Sequence, residues 1–253
     1  MFDVRTEQTK ALDTGVNAPI NRVGGVICSD IKGPITPLDR RGNRYLTNFV
    51  DYKSNYCRVF LAKTKDQATK QFEHFLVYFE KRFNCKKHCL RTDGGGEYKV
   101  VDPFCKNTGV CRQMSEADNQ ASNGKTERMH QTVMNMVRSM IFGSGLPLNF
   151  WGDAAEYASY ILNRSPTRGN VGRSSPIEVL TGVKPKLTDI VIFGSPCTAI
   201  RSPKHKTLER RGEAGLIIGK SDETKGYRVL FTKSRGAHYA ARPKRQDTER
   251  GRK

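Results

Sequence analysis

The segment KDQATKQFEHFLVYFEKRF (65–83) constrains the fold more than any other. Phe72, Phe75, Leu76, Phe79 and Phe83 recur at helical spacing, with Lys and Glu on the other face. Before it lie runs of a different period. GGVICSDI (24–31), RYLTNFVDY (44–52) and YCRVFLA (56–62) are short and rich in apolar, aromatic or β-branched residues, and read as strands. KGP (32–34) closes the first, and the turn-like KSN (53–55) joins the other two as a hairpin.

Downstream, KKHCLRTD (86–93) reads as a strand, 97–108 as a weaker helix compromised by Pro103, and GVCRQM (109–114) as a short strand. The strongest helix spans 121–145, capped by Asn123 or Ser122, with a stripe of Met129, Val133, Met136, Val137 and Met140. A further helix over 147–166 stops at Pro166, and SPIEVLTG (175–182) starts a short one with a cap and a proline. After 190 only short β-like pieces remain, at 190–201, 214–220 and 226–231. Hairpin strands followed by alternating helix and strand predict an α/β chain, a mixed sheet with helices packed on it and a small β-rich segment after it. The boundaries read as a loose arm over 1–22, a core over 23–185, a β-rich unit over 186–235 and a basic, disordered tail over 236–253.

The chain has 253 residues, with 44 Lys and Arg against 25 Asp and Glu, a net charge of +19. Such an excess favours a polyanionic partner, nucleic acid before membrane. No apolar run is long enough for a membrane span. Seven cysteines at irregular spacing read as reduced intracellular thiols.

Three acids carry the chemistry. Asp30 directly follows GGVICS, Asp93 ends the strand LRTD, and Glu127 sits in the first turn of the long helix. Clustered carboxylates can hold two divalent ions for phosphoryl chemistry, and hard Mg²⁺ or Mn²⁺ suits oxygen ligands. Taken singly, Asp30 could be a strand-end turn residue, Asp93 a β-turn Asp before its glycines, and Glu127 an acid favoured by the helix dipole.

Together CSDIKGP, LRTDGGGEY and ASNGKTER resemble the three catalytic-acid motifs of copia-type LTR retrotransposon integrases, in order and residue type. GNRYLTNFVDYKSNYCRVFLAKTK, LPLNFWGDAAEYASYILNRSP and FGSPCTAIR with GLIIGKSDETKGYRVLF are similar to the family's following strands, helices and small barrel-like segment. The resemblance covers about residues 22–232. It implies an RNase H-like fold and a DNA integrase acting with two Mg²⁺ or Mn²⁺ ions, Asp30 bridging both and Asp93 and Glu127 completing one shell each. It implies double-stranded DNA partners, both element ends and target, a homo-oligomer when active, and a nuclear location or a cytoplasmic particle before import. Asp93 and Glu127 are slightly closer than usual for the family, and EADNQASNG (116–124) lacks its Tyr-Thr-Pro run. No zinc-binding segment precedes Asp30 and no reverse transcriptase follows, which reads as a fragment or remnant of a longer polyprotein.

The same residues bear on other readings. No Gly-x4-Gly-Lys-Ser/Thr occurs, and DGGGE lacks alternating oxygen donors, so a P-loop is excluded and a calcium loop disfavoured. CKKHC (85–89) offers Cys85, His88 and Cys89, but no second pair at finger spacing, which disfavours zinc. Asp51 and Glu97 lie near the site motifs, Glu97 reading as structural, and His130 as facing a groove or solvent. Lys125, Arg128 and Arg138 on the long helix, and Arg242, Lys244 and Arg245 in the tail, are candidate phosphate contacts. A silent nucleic-acid-binding remnant and an RNase H-like nuclease remain alternatives.

Overall fold

The computed structural model describes residues 20–86, 89–92, 101–114, 120–200, 212–221, 226–231, 237–240 and 244–245, with the backbone alone at 68–69, 120–123, 237–240 and 244–245. The main sheet is organised about β1 (Val26–Lys32). On one side β2 (Tyr45–Asp51) pairs with it antiparallel, and β3 (Cys57–Ala62) pairs antiparallel with β2. On the other side β4 (Cys89–Thr92) and β5 (Cys111–Met114) are parallel to it, giving the order β3-β2-β1-β4-β5. Parallel neighbours need crossovers. These are α1 (Lys65–Phe83), from β3 to β4, and α2 (Asp102–Thr108), from β4 to β5. Pro103 does not break α2. It stands in the first turn, where its missing N–H has no helical partner to lose.

The stripe on α1 meets the sheet as its spacing predicts. Phe72, Phe75, Leu76 and Phe79 are fully buried. Phe75 stacks on Phe49 of β2 with ring centroids 4.8 Å apart. Burial of each such side chain contributes about 1.5–3 kcal/mol. Thr64 caps the helix start by accepting from the Gln67 N–H, and Asn84 ends it in the left-handed conformation.

The opposite face of the sheet is covered by α3 (Gln120–Ser144) and α4 (Trp151–Leu162). Val133, Val137 and Ile141 of α3 join Ala154, Ala155, Tyr157 and Ala158 of α4 over Leu46, Cys57 and Val59. Just past α4, the buried Asn163 pairs with the backbone of Cys57: its Oδ1 accepts from the Cys57 N–H at 2.8 Å and its Nδ2 donates to the Cys57 carbonyl at 2.7 Å. α5 (Pro176–Thr181) begins with a reciprocal cap between Ser175 and Glu178. Strand order, direction and two helical layers make this an RNase H-like fold.

A second sheet follows. Its strands β6 (Pro196–Ile200), β7 (Gly212–Lys220), β8 (Tyr227–Phe231), β9 (Ala237–Ala240) and β10 (Lys244–Arg245) pair antiparallel in the order β10-β6-β7-β8-β9. β9 and β10 lie where the sequence reads as a disordered tail from 236. β9 pairs with the preceding strand β8 and β10 with the distant β6, and a local apolar count detects neither pairing. At the other end, Ile20 belongs to no loose arm: it packs on Val26, Cys28 and Cys89.

Two sets of contacts join the second sheet to the core. Ile217 of β7 faces its own sheet's core while the adjacent Ile218 packs into the α3–α4 core. Beside it runs an ion-pair network. Asp153 of α4 accepts from Arg40 Nε at 2.6 Å, from the Arg40 guanidinium again at 3.0 Å, and from Arg228 of β8 at 2.8 Å. Glu156 binds both Arg41, at 3.0 Å, and Arg228. Burial alone would raise the Asp153 pKa. The Arg40 hydrogen bond and the charges of Arg40, Arg41 and Arg228 outweigh it and hold the carboxyl below its usual range.

Candidate active site

Side chains alternate along β1, and cross-strand partners share a face. Asp30 pairs with Asn48 and Lys32 with Leu46, and Leu46 belongs to the core under α3 and α4. Asp30 therefore points to the α3 side. It lies past the middle of β1, and 18% of its side chain is exposed.

α3 packs against this part of β1. The helix begins at Gln120, so Ser122 and Asn123 lie inside it and are not its caps. Glu127 is correspondingly in the third turn, beyond the reach of the dipole reading, and it is exposed. One turn further, His130 reaches Asp30: Nε2 lies 3.2 Å from the Asp30 backbone oxygen and 3.4 Å from Oδ2. Residues three apart on a helix are neighbours, so this contact sets Glu127 beside the strand that carries Asp30. His130 does not face a groove or solvent, as its sequence suggested. It is 4% exposed, and burial, reinforced by the charge of Lys32 against the Asp30 hydrogen bond, lowers its pKa to about 4. The ring is neutral near pH 7. The signal was present in its i+3 spacing from Glu127.

Asp93 and Glu97 lie outside the described residues, although Thr92, directly before Asp93, is the buried last residue of β4 beside β1. Among the described residues no group of three His, Cys, Asp or Glu side chains is close enough to hold a metal. Asp30 and Glu127 offer hard carboxylate oxygens, the donor chemistry that suits Mg²⁺ or Mn²⁺.

The basic candidates separate. Lys125 is not aimed at solvent: its Nζ donates to the Tyr52 carbonyl and lies 4.2 Å from the centre of the Tyr52 ring. Burial lowers its pKa despite the nearby Cys28 and Asp51. Arg128 is exposed next to Glu127. Arg138 is hydrogen-bonded to Asn135 at 2.9 Å on the rim of an apolar groove lined by Ile35, Pro37, Met134, Ile141 and Trp151. Arg242 lies outside the described residues, and Lys244 and Arg245 are described only as backbone of β10.

Nearby polar residues have structural work. Asp51 is fully buried and accepts from the Gly24 N–H, the Ser54 N–H and the Ser54 hydroxyl at 2.8, 2.8 and 2.6 Å, closing the β2–β3 turn. Cys85 precedes β4, not within a strand shared with Cys89, and the two pack in different clusters; His88 lies outside the described residues. Sequence reasoning also missed Arg91, a 2% exposed cation on β4 that donates to Gln113 of β5 at 3.1 Å.

No protein-family model matches the sequence. Over 207 residues, 81% of the chain, it is 32% identical to the retrovirus-related Pol polyprotein from transposon TNT 1-94 of Nicotiana tabacum, of which it covers 16%. It is 29% identical over 207 residues to the retrovirus-related Pol polyprotein from transposon RE2 of Arabidopsis thaliana, again 81% of this chain and 14% of that protein. Its fold is similar to a chain in the cryo-EM structure of the simian T-cell lymphotropic virus intasome in complex with PP2A regulatory subunit B56 gamma, with a TM-score of 0.50 at 15% identity over 85% of this chain and 75% of that one. The chain's relatives are thus retrovirus-related Pol polyproteins of plant transposons, and it spans about a sixth of their length.

Proposed function

We propose that this chain is the integrase core of a copia-type element, a metal-dependent polynucleotidyl transferase that trims DNA 3′ ends and joins them to target DNA. The observation that carries the reading is the His130–Asp30 contact, which fixes α3, the helix that carries Glu127, to the strand that carries Asp30. Asp93, one residue beyond β4, is the third acid of the proposal. The similarity to Pol polyproteins and the three acid motifs support it.

When bound, a pair of Mg²⁺ or Mn²⁺ ions would supply the positive charge that activates the attacking oxygen and stabilises the leaving one. Asp30, Asp93 and Glu127 would hold that pair. Arg128, exposed beside Glu127, would meet a DNA phosphate and position the scissile bond. In trimming, water attacks phosphorus in line and the 3′-terminal fragment leaves; in joining, the new 3′-OH attacks target DNA and displaces a target 3′ oxygen. Neither step needs a covalent enzyme intermediate. The proposal extends to a homo-oligomer on DNA ends and, from the basic residues 242–253, to nuclear import.

Labelled element-end DNA incubated with the protein and Mn²⁺ tests this. Shortened and joined products that disappear in Asp30→Asn, Asp93→Asn and Glu127→Gln are expected. Identical products from the wild type and Asp93→Asn would refute the catalytic role. Cleavage without joining would favour a nuclease.

A further inference from the structure

Position 130 continues the buried stripe of α3 through Val133, Val137 and Ile141. An aliphatic side chain would fill it without polar cost. The chain places an imidazole there instead, 4% exposed, and leaves its Nδ1 buried with no hydrogen-bond partner among the described residues. A buried polar atom left bare lowers stability and calls for an explanation.

The geometry at Nε2 supplies one. A backbone carbonyl oxygen can only accept, so at 3.2 Å from the Asp30 oxygen Nε2 must carry the ring proton. A neutral imidazole has one N–H, and Nδ1 is therefore the bare lone pair. The same Nε2 lies 3.4 Å from the Asp30 carboxylate, longer than a good hydrogen bond but still facing it. One donor thus faces both the main chain and the side chain of Asp30. Its helix carries Glu127 one turn away.

We propose that His130 is a positioning residue: as the Nε2–H tautomer it ties Asp30 to α3 and holds the strand-borne acid in place against the helix-borne Glu127. This rests on the metal-site reading of Asp30 and Glu127. Groups that orient metal-binding side chains in this way typically change metal affinity or activity about 10–100-fold when removed.

Two measurements on the full chain decide it. Imidazole ¹⁵N–¹H correlation spectra of the metal-free protein should show His130 protonated at Nε2. Mn²⁺ titration by calorimetry, with circular dichroism melts to check folding, then compares the wild type with Asp30→Asn, His130→Phe and His130→Asn. Asp30→Asn should abolish binding, His130→Phe should weaken it about 10–100-fold, and His130→Asn, whose amide can donate, should recover most of the loss. If His130→Phe folds poorly, His130→Leu, matched to the buried stripe, replaces it. An Nδ1–H tautomer, or wild-type affinity in the folded His130→Phe or His130→Leu protein while Asp30→Asn fails to bind, overturns the inference alone. Mn²⁺ binding that is absent from the wild type, or indifferent to Asp30→Asn, overturns the metal-site reading beneath it.

Discussion

Truncating Asp153 to alanine removes the carboxylate on which two arginines from distant parts of the chain converge. The side chain is 1% exposed, whereas its partners Arg40 and Arg228 are 22% and 16% exposed. Removing one member of a buried ion pair costs about 3–5 kcal/mol, because the remaining charge is left uncompensated. Both arginines keep some water. Arg228 retains Glu156, and Arg40 retains the face of Phe150 at 5.7 Å. The expected loss therefore falls at the lower end, about 3 kcal/mol near pH 7. Urea unfolding of wild type and variant measures it directly.

The pH dependence separates charge from packing. The folded-state pKa of Asp153 lies below its ordinary value of 3.8. Its charge-dependent stabilisation is full above that value and is lost as pH falls through the lower folded-state pKa. Asp153→Asn keeps the shape and lacks the titration. The stability difference between wild type and Asp153→Asn should therefore be constant at neutral pH and shrink in strong acid. A loss under about 1 kcal/mol in Asp153→Ala, the range of an exposed pair, would refute the reasoning. So would a wild-type to Asp153→Asn difference unchanged through the acid range.

Gly152→Ala should destabilise even though alanine is the better helix former by about 1 kcal/mol. A Cβ there meets Leu61 Cδ1 at 2.8 Å and an Asp39 carboxylate oxygen that Arg41 and Asn43 hold in place, and overpacking of this kind costs about 1–3 kcal/mol; an unchanged or raised Tm would contradict it. Asn163→Ala leaves the Cys57 N–H and carbonyl without their side-chain partner, at about 2–4 kcal/mol in all, and should speed amide exchange at Cys57; unaltered protection there would remove the argument. On DNA, Arg128→Ala should reduce the slope of log affinity against log salt by about one, while Lys125→Met, whose ammonium is turned to Tyr52, should leave it nearly unchanged. Equal slopes for the two variants would reverse these assignments.

Periodicity made the core legible. The phenylalanine stripe on 65–83, the hairpin over 44–62 and the cap-plus-proline start at Ser175 each depend on residues within a few positions, and each formed as its local pattern predicts. What the sequence hid depends on pairing between distant residues. β10 is two residues long and bonds to Cys197 and Thr198, so no local pattern announces it. Lys125 reads from its helix position as a phosphate contact, but Tyr52, distant in sequence, lies beneath it. α3 starts a few residues before the capping signal, since Ser122 and Asn123 are good capping residues that here lie inside it. His130 could have been found from its place on the stripe of Val133 and Val137, where a polar ring needs a partner.

The topology explains why β1, β4 and α3 come together although they lie far apart in the chain. β1 and β4 run parallel, so their carboxyl-terminal ends share one edge of the sheet, the edge where open α/β sheets leave a crevice. Asp30 lies toward that end of β1, and β4 ends there at Thr92. α3 then crosses the same face and is fixed to it by His130. The well-buried acids of the described core are held by other groups. Asp153 is held by two guanidiniums, Asp39 by Arg41 and Asn43, and Asp51 by the Gly24 and Ser54 donors. Each of these carboxylates is hydrogen-bonded where it stands and closes a turn or joins two elements. Asp30 is more exposed, and what α3 offers it is a neutral imidazole. A neutral donor can orient a carboxylate without cancelling its charge, and a carboxylate that is to hold a cation needs that charge.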